Sequence, residues 1–382
     1  MRFGLLKLTL VLVMNLLVLG IILLRRRSEV ARARKRVYFL KVYESGSTTV
    51  GGVLARYADK QNLNFIFHKM DPLTYGTLIS WPGSWLLPEA GRNGGVDILT
   101  SHIKYDETKL KTILHSDPEE ILSVAIIENP WSQFLSAFET FKVAAEMPDI
   151  GSSPNPVLEY LSNFEKHRSR ITAVDRRRQH RRADGKRNYA GLRNLLITQF
   201  GGSADSAGFP LERSYFNRFV ELINREFSLV MILEYFYESL VLFRRIANWR
   251  LEDILFQSFA IKNRRQKRGG RDRLWPVAEQ QLEKRAKTIH DQYSADDYEF
   301  YRYFNRSFWE KVRRENAADF YAEVDYFRHV NERVLKYCDE PESDGPFLVS
   351  ASPWNLDFEF TKYKCVMLNM DMFDHMESKR KY

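Results

Sequence analysis

Cysteine is scarce in this chain: Cys338 and Cys365 are the only two among 382 residues. No C-x-x-C pair exists, which excludes a zinc knuckle. In an oxidising lumen the two thiols could pair, and they could equally stay free. No G-x-x-x-x-G-K-[ST] string occurs, so there is no Walker A loop. A nucleotide-sugar enzyme would usually carry a D-x-D metal site. Asp296-Asp297 and Asp371-Met372-Phe373-Asp374 do not have that form, and no cluster of metal ligands is visible. Internal repeats and coiled-coil heptads are also missing.

Apolar residues are plentiful. They make up 44% of the chain, and aromatics 14%, enough for a substantial core and too much for a disordered protein. The length suits one large domain or two medium ones. A net charge of +9 favours acidic partners, such as nucleic acid, anionic lipid, acidic glycans or phosphate-bearing cofactors.

Leu8 to Leu24 is an uncharged run of 17 residues in which Asn15 is the only strongly polar side chain. As a helix it would span roughly 26 Å, close to the roughly 27 Å core of early secretory membranes. The alternative is a cleaved signal peptide, with Ala31-Arg32-Ala33 as its small-residue site. That site lies beyond Arg25-Arg26-Arg27, so the run is read as an anchor. Arg2 and Lys7 precede it, while Arg25 to Arg27, Arg32, Arg34, Lys35 and Arg36 follow it. By the positive-inside rule this asymmetry would keep the large domain cytosolic. Long domains translocate despite flanking charge, and the motifs below point to the lumen. The expected organisation is a tail (1–7), an anchor (8–24), a basic stem (25–36), a main domain (37–340) and a C-terminal extension (341–382). Asn305-Arg306-Ser307 is a glycosylation sequon.

Past the stem, Val37 to Leu40 reads as a buried strand. A loop follows, and then a helix with Val50, Val53, Leu54, Tyr57 and Ala58 on one face. The unit recurs. Ile121 to Ile127 precedes a helix opened by Pro130, with Phe134, Phe138 and Phe141 in register. Leu229 to Leu233 precedes a helix bearing Leu240, Phe243, Ile246 and Ala247. Strands alternating with helices predict an α/β fold with a central parallel sheet covered on both faces. Lys166 to Arg187, with ten basic residues, and Lys262 to Arg273, with seven, read as exposed inserts. The first could touch an acidic acceptor.

Phe39-Leu40-Lys41-Val42-Tyr43-Glu44-Ser45-Gly46-Ser47-Thr48-Thr49 is a strand running into a small-residue loop that opens a helix. Backbone N–H groups and hydroxyls there suit an anion. This string resembles the 5′-phosphosulfate loop of carbohydrate sulfotransferases, closest to the galactose-3-O-sulfotransferase family. Collinear similarities follow. Ser101-His102-Ile103-Lys104-Tyr105 resembles H-x-R-[FY]. Ile127-Glu128-Asn129-Pro130 with Ser136 resembles the strand, Arg-x-Pro and Ser of the 3′-phosphate site. Arg193-Asn194-Leu195-Leu196 with Phe200-Gly201 resembles R-N-x-x-x-x-D-[LF]-G. Glu234 to Leu242, Trp249 to Leu255 and Tyr303 to Trp309 extend the series.

The resemblance implies a P-loop-kinase-like sulfotransferase fold behind an N-terminal transmembrane helix. It implies transfer of a sulfuryl group from PAPS (3′-phosphoadenosine 5′-phosphosulfate) to a galactose hydroxyl, the 3-OH, of glycolipid or glycoprotein. It also implies a Golgi type II membrane protein that needs no metal and binds no nucleic acid. By the same resemblance, His102 is the general base; Lys41, three residues before Glu44, is a second catalytic candidate that could compensate for it. Ser45, Gly46, Ser47, Thr48, Thr49 and Ser136 hold the donor, and Asn305 carries a glycan. Glu234, Glu238 and Asp253 are candidates for capping or for sugar binding.

Three positions depart from the family pattern. Glu44 replaces the loop lysine, Glu128 replaces the 3′-phosphate arginine, and Tyr43 replaces a histidine. These substitutions imply an alternative, a family member that has lost transfer and serves as a lumenal glycan- or protein-binding module.

Overall fold

The computed structural model describes residues 36–67, 96–114, 121–167, 192–202, 210–257, 280–340, 345–370 and 372. The expected anchor, residues 8–24, lies outside them, as do the stem up to residue 35 and the basic stretches 168–187 and 262–273. Among the described residues no helix is long and apolar enough to cross a membrane.

Five strands form the main sheet: β1 (Val37–Leu40), β2 (Phe65–Phe67), β3 (Ile98–Ser101), β4 (Leu122–Ile127) and β5 (Leu229–Ile232). Every neighbouring pair is parallel, and the order is β2-β3-β1-β4-β5. All residues of these strands are buried, as continuous apolar runs require when both faces of a sheet are covered. From β1 the chain travels outward to β2, and from β4 it travels the other way to β5. The crevice at the carboxyl ends of β1 and β4 is therefore the point where the winding reverses, the usual ligand site of an open α/β sheet.

The helices follow in chain order. They are α1 (Ser47–Gln61), α2 (Glu107–Leu114), α3 (Pro130–Thr140), α4 (Val143–Glu146), α5 (Pro148–Gly151), α6 (Pro156–Ser162), α7 (Leu195–Gln199) and α8 (Arg213–Glu226). Then come α9 (Phe236–Ala247), α10 (Gln280–Tyr293), α11 (Ala295–Arg313), α12 (Ala317–Asp339) and α13 (Lys362–Asn369). Pro130 takes the first helical position of α3 as expected, and the Asn129 side chain caps Trp131 N at 3.1 Å. Two hydrophobic clusters result. The larger surrounds the sheet. The smaller gathers Trp131, Phe134, Phe138, Phe141 and Tyr160, and it includes Tyr43 from the loop after β1. That loop is thus pinned between two cores.

The C-terminal segment joins the larger cluster. β6 (Phe347–Val349) and β7 (Phe358–Phe360) pair antiparallel. Val349, Phe360, Cys365, Leu368 and Met372 are buried with the sheet residues. Cys338 of α12 and Cys365 of α13 are disulfide-bonded, with Cα atoms 5.3 Å apart. This resolves the open question of the two thiols.

Candidate active site

Gly46 explains the shape of the loop. It stands just before α1 with φ of +77°, and a Cβ there would sit 2.6 Å from Leu233 Cδ1. Only glycine takes that conformation in that space at little cost. No side chain caps α1, so its N-terminus presents backbone donors and the positive end of the helix dipole. The Ser45 and Ser47 hydroxyls both donate to Val42 O, at 2.9 and 2.7 Å, and so close the loop on itself. Thr48 and Thr49 lie in the first turn, where Thr49 N donates to Gly46 O at 3.1 Å.

Lys41 and His102 directly follow adjacent strands, β1 and β3. Lys41 N donates to Ser101 O at 3.2 Å, and both side chains are buried. The His102 ring stacks on Tyr43, with centroids 3.7 Å apart and planes within 4°. Phe141 meets the same tyrosine edge-on at 5.6 Å. Burial pushes the His102 imidazole well below the ordinary histidine range, and the charge of Lys41 pushes it further. The ring is neutral at neutral pH, and its Nδ1 is shielded without a hydrogen-bond partner. A neutral imidazole beside an ammonium and a helix N-terminus can accept a proton while an anion is held nearby.

Two residues not singled out in the sequence hold this arrangement. Gln199 Oε1 accepts from Tyr43 N at 2.7 Å, and Gln199 O accepts from Tyr105 N at 2.9 Å. Gln133 Nε2 donates to Tyr43 O at 2.7 Å. Gln199 fills the acidic position of the R-N-x-x-x-x-D pattern, a signal that could have found it. Gln133 has no such signal.

The opposite wall of the crevice is acidic. Ser136 Oγ on α3 donates to Glu44 Oε2 at 2.6 Å. Glu128, at the end of β4, is buried. Asn129 N, which could have faced a ligand, donates to Glu234 Oε1 at 2.7 Å. A unit charge pair about 4 Å apart at an effective dielectric near 20 is worth roughly 4 kcal/mol. Exchanging a cation for a carboxylate reverses that sign. The uncapped α1 N-terminus suits a 5′-phosphosulfate, but the Glu44 carboxylate stands in the same loop, and the Ser136 hydroxyl donates to that carboxylate.

The other candidates make contacts of their own. Arg193 Nε donates to Tyr293 O at 2.8 Å, and the guanidinium lies over that ring. Asp253 pairs with Lys60 at 2.7 Å, and Glu238 lies in the first turn of α9. Asn305 is half-buried in α11, with Nδ2 3.4 Å from Tyr301 Oη.

Comparison with known proteins bears on the family of this chain. The galactose-3-O-sulfotransferase family model matches residues 26–353. Galactosylceramide sulfotransferase of Homo sapiens is 26% identical over 320 residues, 84% of this chain and 66% of that protein. Galactose-3-O-sulfotransferase 3 of Mus musculus is 28% identical over 309 residues, 80% of this chain and 64% of that protein. The chain thus spans just under two thirds of the length of these relatives. No solved structure matches it. With a family match running from the stem to just past β6, this chain belongs to the galactose-3-O-sulfotransferase family.

Proposed function

We propose that the protein is a carbohydrate sulfotransferase that moves a sulfuryl group from an adenylyl sulfate donor, PAPS in the family pattern, to the 3-hydroxyl of galactose on glycolipid or glycoprotein. The observation that carries this reading is the meeting of Lys41, His102 and the uncapped α1 N-terminus at one end of the sheet. Backbone N–H groups of the first turn of α1, with Gly46 allowing close approach, hold the 5′ phosphosulfate. Ser45 and Ser47 keep the loop closed, and Thr48 and Thr49 line it. His102 takes the proton of the galactose hydroxyl as sulfur is attacked, and Lys41 offsets charge on the departing phosphate.

The Cys338–Cys365 disulfide supports an oxidising compartment. Together with the apolar run at 8–24 it favours a type II protein of the Golgi membrane with its catalytic domain in the lumen. Asn305 is proposed to receive its glycan before α11 forms.

The test is transfer of labelled sulfate from PAPS or its 3′-dephosphorylated form to galactosylceramide and to galactose-terminated oligosaccharides. His102→Ala should lower kcat by about 10²–10⁴. Because the His102 imidazole is held well below the ordinary range, no inflection near the usual histidine value of about 6.5 is expected in kcat/KM. A second reading, a glycan-binding member without transfer, is favoured by the Ser136–Glu44 hydrogen bond. Glycan binding with no transfer from either donor would establish it.

A further inference from the structure

We infer that Tyr43 is a positioning residue for the general base: its ring, locked by two buried glutamines, fixes the plane of the His102 imidazole. The inference rests on the sulfuryl-transfer reading and adds a residue to its machinery.

A histidine that takes a proton needs its ring held, because the accepting lone pair lies in the ring plane. A carboxylate or carbonyl on the other nitrogen usually does this. His102 is short of such partners. The Lys41 backbone bonds the imidazole, no carboxylate is among the described groups that act on it, and Nδ1 has no hydrogen-bond partner. The torsion that turns an imidazole is soft by itself. The face of the ring is held instead. Tyr43 covers it with centroids 3.7 Å apart and planes within 4°, and any turn of the imidazole would break that stack.

A stack orients one ring only if the other is fixed, and Tyr43 is. Its N–H donates to Gln199 Oε1 of α7, and its carbonyl accepts from Gln133 Nε2 of α3, each at 2.7 Å. Both glutamines are buried. Gln199 Nε2 donates onward to Leu195 O at 3.0 Å. Turning that amide over would set donor against donor and acceptor against acceptor. Phe141 closes the tyrosine ring in edge-on at 5.6 Å. Gln199 also reaches the segment that carries His102, because its own carbonyl accepts from Tyr105 N at 2.9 Å. One glutamine thus ties down both members of the stack.

The experiment uses the full chain in detergent, with galactosylceramide and labelled PAPS or its 3′-dephosphorylated form, whichever the wild type accepts. Tyr43→Leu should lower kcat by about tenfold or more, since a small misplacement of a catalytic group can cost about 10²-fold. KM for either substrate should change by less than about twofold, because the lost contact serves the reaction rather than binding. Tyr43→Phe keeps the stack and should retain kcat within about twofold. In carbon–proton spectra of histidine-labelled protein, the His102 signal is identified by its loss in His102→Asn. It should move downfield in Tyr43→Leu, out of the tyrosine ring current, and hold its place in Tyr43→Phe. Should the leucine variant fail to fold, Gln199→Met, which keeps both rings and removes the amide, gives the same reading: lower kcat with KM held. Unchanged kcat in Tyr43→Leu, an equal loss in Tyr43→Phe, or a loss confined to the donor KM would overturn the inference and leave sulfuryl transfer standing. A His102 signal that stays put in Tyr43→Leu would do the same. If the wild type transfers nothing from either donor, the transfer reading and the inference fall together.

Discussion

Asp297 sits at the joint between α7 and α11, accepting from Leu196 N and Ile197 N at 3.0 Å each. Burial pushes its carboxyl up to about 7 in spite of those donors. A raised acid favours the protonated fold, so its contribution is full below the unfolded value near 3.8 and drains as pH rises toward 7. His290 has the opposite sign. Buried against Trp131 and Phe134, it is pushed down to about 3, so its contribution is complete above about 6.5 and drains as pH falls. Between about pH 4.5 and 6.5 the two slopes oppose each other. Asp297→Asn removes one of them, and the variant should lose stability on acidification faster than the wild type by about 1 kcal/mol per pH unit. Urea unfolding across that window measures the difference. Parallel slopes would show that the carboxyl is ionised throughout.

The sequence made the strands and their helices legible because buried parallel strands are unbroken apolar runs. Val37–Leu40 matches the expectation to the residue, and the expected Ile121–Ile127 differs from β4 by one. It also showed which residues line the loop. It did not show that the Ser136 hydroxyl serves Glu44, because that contact joins positions 92 apart, and no periodicity encodes a side chain's partner across a crevice. The same holds for α9 and α12. Arg244 and Arg245 stand in the last turn of α9, and nothing in their spacing names a partner. In the fold both guanidinium groups reach the Glu323 carboxylate, which is fully buried, and Arg245 also meets Glu315 and Asp319. Glu323→Ala would leave the Arg244 guanidinium without this carboxylate and take one of three from Arg245, and it should cost about 3–5 kcal/mol. A small loss in a denaturant titration would mean that Glu315 and Asp319 suffice.

At the level of the whole molecule, the C-terminal segment is bound to the sheet core by its apolar residues and to α12 by one covalent bond. The Cys338–Cys365 link spans 27 residues. Closing a loop of that length in the unfolded chain is worth roughly 3–4 kcal/mol. Cys365→Ser should lower the melting temperature by several degrees, and reductant should do the same to the wild type but not to the variant. If reductant leaves the wild type unchanged, the hairpin and α13 are held by apolar burial alone.

The strand order has a consequence for how the chain is made. β1 is the middle strand of the sheet and the first to leave the ribosome, while β5 follows roughly 190 residues later. At about 5–20 residues per second, that separation is on the order of ten to forty seconds. For that interval the most central strand, wholly apolar, waits for its neighbours. A nascent chain of this family therefore presents its stickiest segment earliest, and its yield depends on what shelters Val37 to Leu40 until the other strands arrive.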